Sequence, residues 1–578
     1  MIQSNYFTDN DDLQLQFQKI VNWDEVVKTY EGDFEDSKKY KETGDERYSF
    51  APSTKEEALD YYQSVLNSLG EISGTEISQR AKAMDNTGLK YKDGKVTFPK
   101  EMIEAYNLVV DAGLHSFSMS RKFGGLGIPL SVQVFAMELV ARADASLYIA
   151  LSCVSLAETI ERYGSEEMKE EWVTKMAKGS VTGAMALTEP NFGSDLPSVQ
   201  TKAVKNPDGT YTLNGTKRFI THACGFADIP SVILTLARTG SPTSGARGLS
   251  FFLVESKDIQ IAGIEKKMGL HCSPTCEVVY ENTKGILIGE EGNGLVKYAM
   301  GMMNTARMSI AGQSLGIATA AAFEAKKYAR ERVQFGKTLE NIPAVKKMLD
   351  RMDRELAAGR CLLLEAARTV DNYLWKTERL ERNGVSEKEI RKDEEIRKWE
   401  KLANYFTPLA KYYLSELCIS ISFDAIQIHG GSGYTEDYDV AKIYKDSRIT
   451  NIYEGTTQLQ VVAAIGGVVS GMSPSGHLRA YIDETMSNFS ITPELAKVKE
   501  IFETVVSTFK EIKDNTRKDT LAFETVETSA RFIIGLLFEK SASKLSGEKR
   551  EERLKLIKAY NQDSIAICEA NKIKISFN

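Results

Sequence analysis

The chain has 578 residues, 42% of them hydrophobic, with a formal net charge of −7 and a pI of about 5.7. That is too long for one ordinary domain and apolar enough for a large buried core. The mildly acidic balance excludes a general electrostatic affinity for nucleic acid or an anionic membrane.

In chain order, Met1-Ile2-Gln3-Ser4-Asn5 has no basic start and no apolar run behind it, so no signal peptide is expected. Residues 1–65 are polar, with little apolar periodicity, and read as an N-terminal extension. Ser53 or Thr54, followed by Glu56 and Glu57, marks a helix start. Residues 66–180 form an N-terminal helical domain: 101–113 and 131–143 repeat apolar residues at three and four, and Gly124-Gly125-Leu126-Gly127 is a loop. The period then changes. Asn206-Pro207-Asp208-Gly209 lies between two alternating runs and predicts a β-hairpin over 202–214. The runs beginning at Ser231, Leu249 and Glu277 are rich in β-branched and aromatic residues, so 181–288 reads as a middle β domain.

Helix returns near Gly294 and extends past Arg330; further helices are expected over 342–374 and 403–427. The charged stretch 376–401 reads as a solvated hairpin extension. These helices form a bundle over 289–466. Beyond the linker Ser470-Gly471-Met472-Ser473-Pro474, residues 467–578 form an additional helical domain. The apolar run 461–469 contains two glycines and is about half the length of a membrane span. Seven scattered cysteines, none in a Cys-x-x-Cys pair, fit a reducing cytoplasm. His271, Cys272 and Cys276 lack a fourth ligand nearby and read as a loop with incidental thiols, not a metal site.

Three segments carry candidate chemistry. Leu187-Thr188-Glu189-Pro190-Asn191-Phe192-Gly193-Ser194-Asp195 is a shaped loop whose hydroxyls and N–H groups suit a polar cofactor edge; an ordinary capped turn looks similar. In Lys217-Arg218-Phe219-Ile220-Thr221 an aromatic and a hydroxyl two apart on a strand share a face and could wall a flat ring. Ile452-Tyr453-Glu454-Gly455-Thr456-Thr457-Gln458 sets a carboxylate between an aromatic and a glycine, where desolvation would raise its pKa towards that of a general base. No Gly-x-Gly-x-x-Gly follows a strand, so a βαβ dinucleotide fold is not expected.

With Glu331-Arg332-Val333-Gln334-Phe335-Gly336-Lys337 and Gln427-Ile428-His429-Gly430-Gly431-Ser432-Gly433-Tyr434, these segments make residues 66–466 resemble the acyl-CoA dehydrogenases. The resemblance implies an α+β multidomain fold: an N-terminal helical domain, a middle β-barrel or sandwich, and a C-terminal four-helix bundle, here with an extra C-terminal helical domain. It implies FAD as cofactor and α,β-dehydrogenation of an acyl-CoA thioester to the 2-enoyl-CoA, with Glu454 as the base. Leu187, Thr188, Gly193, Ser194, Phe219 and Thr221 would contact the flavin, and Ser194 also the substrate. Arg332, Phe335, Gln427, Gly430 and Gly431 would grip the FAD of a neighbouring subunit; Thr456 and Gln458 would hold its near side. Asn304 and Arg307 would line the CoA channel, and Tyr453 and Gly455 would flank the thioester. Some relatives take their base from the long helix, one residue before the matched arginine; here that residue is Ala306. Where the family usually has a glutamine contacting FAD, this chain has Pro343.

The N-terminal extension, the C-terminal appendix and segments such as Met268-Gly269-Leu270-His271-Cys272 resemble a longer branch that includes 3-methylmercaptopropionyl-CoA dehydrogenase and broad-range mycobacterial enzymes. Such an enzyme would be a cytoplasmic homodimer in lipid β-oxidation, passing electrons to an electron-transfer flavoprotein, with no nucleic acid and no membrane as partner. The alternatives are an acyl-CoA oxidase using oxygen, or a non-catalytic flavoprotein binding a partner or nucleic acid.

Overall fold

Thr54 caps the helix Lys55–Glu71 as its acidic first turn predicts: its Oγ1 accepts from Glu57 N at 3.2 Å, while Glu57 Oε2 accepts from Ser53 N and Oγ at 2.7 Å. The computed structural model describes residues 1–577. It divides into two compact units, one of Met1–Phe7 with Glu31–Ser309, the other of Thr8–Tyr30 with Ile310 onward.

The first unit begins with helices. Leu130–Ala143 is buried on every face, Gln133, Glu138 and Arg142 included, so it is a central helix and not an amphipathic surface one. The Arg142 guanidinium lies 3.8 Å from the centre of the Tyr6 ring and donates to Tyr6 O at 3.4 Å. The backbone at 4–7 crosses Gly70 and Gly74 so closely that a Cβ on Gly74 would lie 1.6 Å from Ser4 O. Residues 1–7 are therefore packed chain, although their composition reads as an extension. Lys90–Lys92 (β1) and Lys95–Thr97 (β2) pair as a hairpin in a region expected to be helical. Asp93 and Gly94 both take positive φ, 50° and 80°, as a tight two-residue hairpin turn requires.

The remaining strands are Thr182–Ala186 (β3), Lys202–Lys205 (β4), Tyr211–Thr221 (β5), Ser231–Arg238 (β6), Leu249–Glu255 (β7), Gln260–Ile264 (β8) and Thr275–Ile288 (β9). β4 and β5 form the expected hairpin, with Lys202 opposite Asn214. The order β6-β4-β5-β9-β7 closes on itself through the β6–β7 pairing, giving a barrel; β3 adds parallel to β6 and β8 lies beside β9. All of β6 is buried. Val232, Leu234 and Leu236 join one apolar cluster, Ile233 and Ala237 another. A strand covered on both faces reads as an unbroken apolar run.

In the second unit the bundle helices are the continuation of Met300–Glu331, then Pro343–Arg382, Glu394–His429 and Thr457–Gly471. Pro343 occupies the first helical turn, where its missing N–H costs nothing. Gly359 lets three helices meet: a Cβ there would lie 2.8 Å from Leu414 and 3.6 Å from Leu315. The charged stretch after residue 376 is the end of one long helix, a Ser386–Glu389 capping box, and the start of the next. The described part of the appendix holds the short helix His477–Met486 and three longer ones, Pro493–Glu511, Asn515–Ser543 and Gly547–Ser576; Asn515–Ser543 packs on Pro343–Arg382 and Thr457–Gly471. Buried charges tie the unit together. Glu365 accepts from Arg368 at 2.6 Å, Tyr481 Oη at 2.8 Å and Lys540 at 3.3 Å, while Arg368 also reaches Glu25 at 2.6 Å. Asp12 pairs with Arg360 at 2.8 Å and Arg553 at 2.6 Å. Among the described residues no helix is long and apolar enough to cross a membrane.

Candidate active site

In the first unit, the loop 187–195 is built largely by backbone. Glu189 and Phe192 exchange N–H···O bonds of 3.0 and 3.1 Å, and Arg218 N donates to Thr188 O at 3.0 Å, which binds the loop to β5. Beneath it lies a wholly buried lysine. Lys217 Nζ donates to Leu187 O and Glu189 Oε1, both at 2.9 Å, and Glu189 also accepts from Gln200 N at 2.6 Å and Thr201 N at 2.8 Å. Burial pushes Lys217 down to about 8, against the pull of Glu189. Burial acts to raise Glu189, yet the Lys217 charge and the two N–H donors hold it below its usual range.

Simple alternation does not run through this strand. The β5–β9 register slips between Lys217 and Ile220, and Phe219 takes φ +61°. The bulge separates two residues that alternation would put on one face: Lys217 is buried and Phe219 is 54% exposed. Thr221 is half-buried, and Gly193 and Ser194 are exposed. An exposed aromatic ring and three hydroxyls (Thr188, Ser194, Thr221), with Thr188 Cγ2 as the one atom within 4 Å of where a Cβ on Gly193 would stand, fit a flat ring with a polar edge. The first unit also holds Asn304 and Arg307, joined by a 3.0 Å hydrogen bond from Arg307 Nη1 to Asn304 Oδ1. The loop read as carrying incidental thiols is engaged with the chain at 84–85: Cys272 donates to Met84 O at 2.9 Å and His271 lies 2.9 Å from Asp85.

In the second unit, Tyr453, Glu454, Gly455 and Thr456 share one loop, in front of the helix Thr457–Gly471 that Thr456 caps and whose first turn carries Gln458. Glu454 takes φ +53° and Gly455 φ +90°. Left-handed backbone at a non-glycine residue is uncommon and clusters at functional sites; Glu454, Phe219 and Phe335 are three such residues here. Backbone bonds from Tyr453 N to Ile449 O and from Thr457 N to Asn451 O shape the loop, and side chains add to them. Lys411 Nζ donates to Gly455 O at 2.6 Å, and Gln460 Nε2 donates to Glu454 O at 3.1 Å and Gly455 O at 3.0 Å. Glu416 accepts from Asn451 at 3.0 Å and from Thr457 Oγ1, and Tyr453 Oη donates to Gln313.

Arg332 and Phe335 lie elsewhere in this unit. Val333–Gln334 (β10) and Lys337–Thr338 (β11) form a hairpin whose tip, Phe335 and Gly336 at φ 52° and 71°, leaves Phe335 94% exposed. Gln427, Gly430 and Gly431 are exposed at the end of the helix Glu394–His429. These two sets are joined, because the Tyr328 ring stacks on His429 at 4.2 Å. They are separate from the Glu454 loop. Lys411, which touches that loop, precedes Gln427 by sixteen residues on one helix, about 24 Å at 1.5 Å per residue.

Sequence reasoning overlooked Lys411, Gln460, Glu416 and Gln313, and quoted Lys217 without giving it a role. Only Gly455 carried a signal for one of them: a Cβ there would lie 2.5 Å from Gln460 Nε2.

Comparison with known proteins identifies the family. Models of the acyl-CoA dehydrogenase N-terminal, middle and C-terminal domains match residues 63–180, 184–283, and 292–378 with 395–465. The chain is 33% identical over 430 residues to 3-methylmercaptopropionyl-CoA dehydrogenase of Ruegeria pomeroyi, covering 71% of this chain and 70% of that one. Butyryl-CoA dehydrogenase from Megasphaera elsdenii superposes with a TM-score of 0.60 at 31% identity, over 71% of this chain and 98% of that one. An acyl-CoA dehydrogenase from Bacillus anthracis, complexed with FAD, shares the fold with a TM-score of 0.74 at 22% identity, over 89% of this chain and 88% of that one. The chain belongs to the acyl-CoA dehydrogenase family and is an FAD-dependent oxidoreductase.

Proposed function

We propose that the protein removes the α- and β-hydrogens of an acyl-CoA thioester, leaving a 2-enoyl-CoA, with Glu454 taking the α-proton. The observation that carries this reading is the Glu454 loop: a carboxylate in left-handed backbone, followed by a glycine and held by Lys411 and Gln460. Ala306, the alternative base position, has no group that accepts a proton. A thioester α-hydrogen is a weak acid, so the base must be fixed within reach and the carbonyl oxygen must be polarised. Glu454 supplies the carboxylate, and its main-chain N–H the hydrogen bond to the thioester oxygen. Tyr453 and Gly455 flank the thioester, and Asn304 and Arg307 line the channel for CoA.

Leu187, Thr188, Gly193, Ser194, Phe219 and Thr221 hold the flavin ring, with Thr456 and Gln458 on its near side. Bound FAD supplies the hydride acceptor for the β-hydrogen. Arg332, Phe335, Gln427, Gly430 and Gly431 serve the FAD of a second subunit. Their distance along the helix from the base loop of their own chain supports that assignment and, with it, a homodimer. An electron-transfer flavoprotein takes the electrons onward. Anaerobic titration of the flavin-loaded enzyme with saturated acyl-CoAs and 3-methylthiopropionyl-CoA tests the reaction. Bleaching of the oxidised flavin by one chain-length class is expected; no bleaching by any thioester would overturn the reading. Rapid reoxidation in air would instead mark an oxidase.

A further inference from the structure

We infer that Lys411 is a positioning residue for the base loop: its buried ammonium, acting with Gln460, fixes the Glu454 carboxylate and the Glu454 N–H in the orientation that α-proton removal needs. The inference rests on the assignment of Glu454 as base.

Lys411 is wholly buried in the helix Glu394–His429. Burying an ammonium is costly, and a core position chosen for packing alone would carry an apolar side chain. Its Nζ meets the carbonyl oxygen of Gly455, the residue directly after the base, at 2.6 Å. Charge-assisted hydrogen bonds are short and directional. The same carbonyl and that of Glu454 accept from Gln460 Nε2 at 3.0 and 3.1 Å. Both peptide groups that follow consecutive left-handed residues, Glu454 at +53° and Gly455 at +90°, are therefore pinned from the protein interior. A glutamate relaxes readily out of this conformation, and relaxation would turn its carboxylate and N–H together. Gly455 is matched to the clamp, because any side chain there would strike Gln460. Glu416, further along the same helix, holds the loop ends at Asn451 and Thr457.

The test uses flavin-loaded holoenzyme carrying Lys411→Met, Lys411→Gln, Gln460→Leu or Glu454→Gln. Two readouts are taken: kcat and KM with the best saturated acyl-CoA, and the long-wavelength absorption that appears when a 3-ketoacyl-CoA binds as its enolate. The second reports the hydrogen bonds to the thioester oxygen without needing a base. Lys411→Met should keep its FAD, lose about 10- to 100-fold in kcat, change KM by less than about threefold, and weaken the enolate band. Lys411→Gln, which keeps a donor, should recover part of both. A folded, flavin-loaded Lys411→Met with wild-type kcat and an unchanged enolate band overturns the inference. If Lys411→Met does not fold, Gln460→Leu decides by the same two readouts. Glu454→Gln separates the two levels: it should abolish turnover and keep the enolate band. Turnover surviving in Glu454→Gln sinks the base assignment, while the band in Lys411→Met still reports whether the loop is positioned from below.

Discussion

The two loops that carry the proposed chemistry differ in how much of their support comes from distant side chains. The loop 187–195 closes on itself by a backbone bridge and is bound to β5 by a main-chain donor; Lys217 beneath it is balanced by Glu189 within one buried pair. The loop 452–456 has backbone bonds too, with Tyr453 N donating to Ile449 O at 3.2 Å and, at its end, Thr457 N donating to Asn451 O at 3.1 Å, but most of its partners are side chains reaching from helices: Lys411, Gln460, Glu416 and Gln313. Backbone bonds do not depend on side-chain identity, so the cofactor loop should tolerate exchange of its exposed residues. The base loop should lose its geometry when one internal partner goes. The first arrangement suits a platform that receives a rigid ring, the second a carboxylate whose position against the α-carbon must be set to a fraction of an ångström.

The sharpest test of that contrast is the base itself. Glu454→Gln keeps the carbonyls of 454 and 455 that accept from Lys411 and Gln460, and should cost about 10²- to 10⁴-fold or more in kcat, far more than it costs in thermal midpoint. An effect on stability as large as that on turnover would make the loop structural.

Next comes the pair under the cofactor loop. Lys217→Met strands Glu189 in the core and should cost about 3–5 kcal/mol in denaturant unfolding. The pH dependence adds a signature. Lys217 titrates at about 8 in the folded chain and near its usual 10.5 when unfolded. Between those values the unfolded chain binds more protons, so this group makes stability rise with pH, and wild type should gain on Lys217→Met across that window. A pH-independent difference would mean that folded Lys217 keeps its proton up to its usual value, so that burial does not lower it.

Acid stability probes the second unit. Burial acts to raise Glu365, but Arg368 and Lys540 hold it well below its usual 4.5. Its folded value is lowered, so its contribution is complete above pH 4.5 and is lost as the pH falls through the folded value. Glu365→Gln should lower the thermal midpoint at pH 7 and narrow the gap between pH 7 and pH 4. The smallest stability effect is expected at Phe335, 94% exposed: Phe335→Ala should change stability by less than about 0.5 kcal/mol yet loosen FAD retention, because the ring is proposed to serve a partner's cofactor.

Much of this organisation was legible in the sequence because its signals are local. The hairpin at Asn206-Pro207-Asp208-Gly209, the Thr54 cap and the Glu454-Gly455 turn each declare themselves within a few residues. The hairpin at Asp93-Gly94 has the same kind of signal, masked by its helical neighbours. What was not legible depends on partners distant in the chain. Asp12 reads as a surface acid until Arg360 and Arg553 stand beside it. Lys217 and Lys411 look like any solvated lysine until burial is known. The β-bulge at Phe219 breaks an alternation that the strand's composition leaves intact.

The central claim, that Glu454 removes the α-proton, is tested most directly by hydrogen exchange. An acyl-CoA in which sulfur replaces the β-carbon has no β-hydride to lose, so its α-hydrogens can only exchange. In deuterated water the flavin-loaded wild type should catalyse that exchange and Glu454→Gln should not, while binding the analogue with similar affinity. Exchange at the wild-type rate in Glu454→Gln would contradict the account and place the base elsewhere.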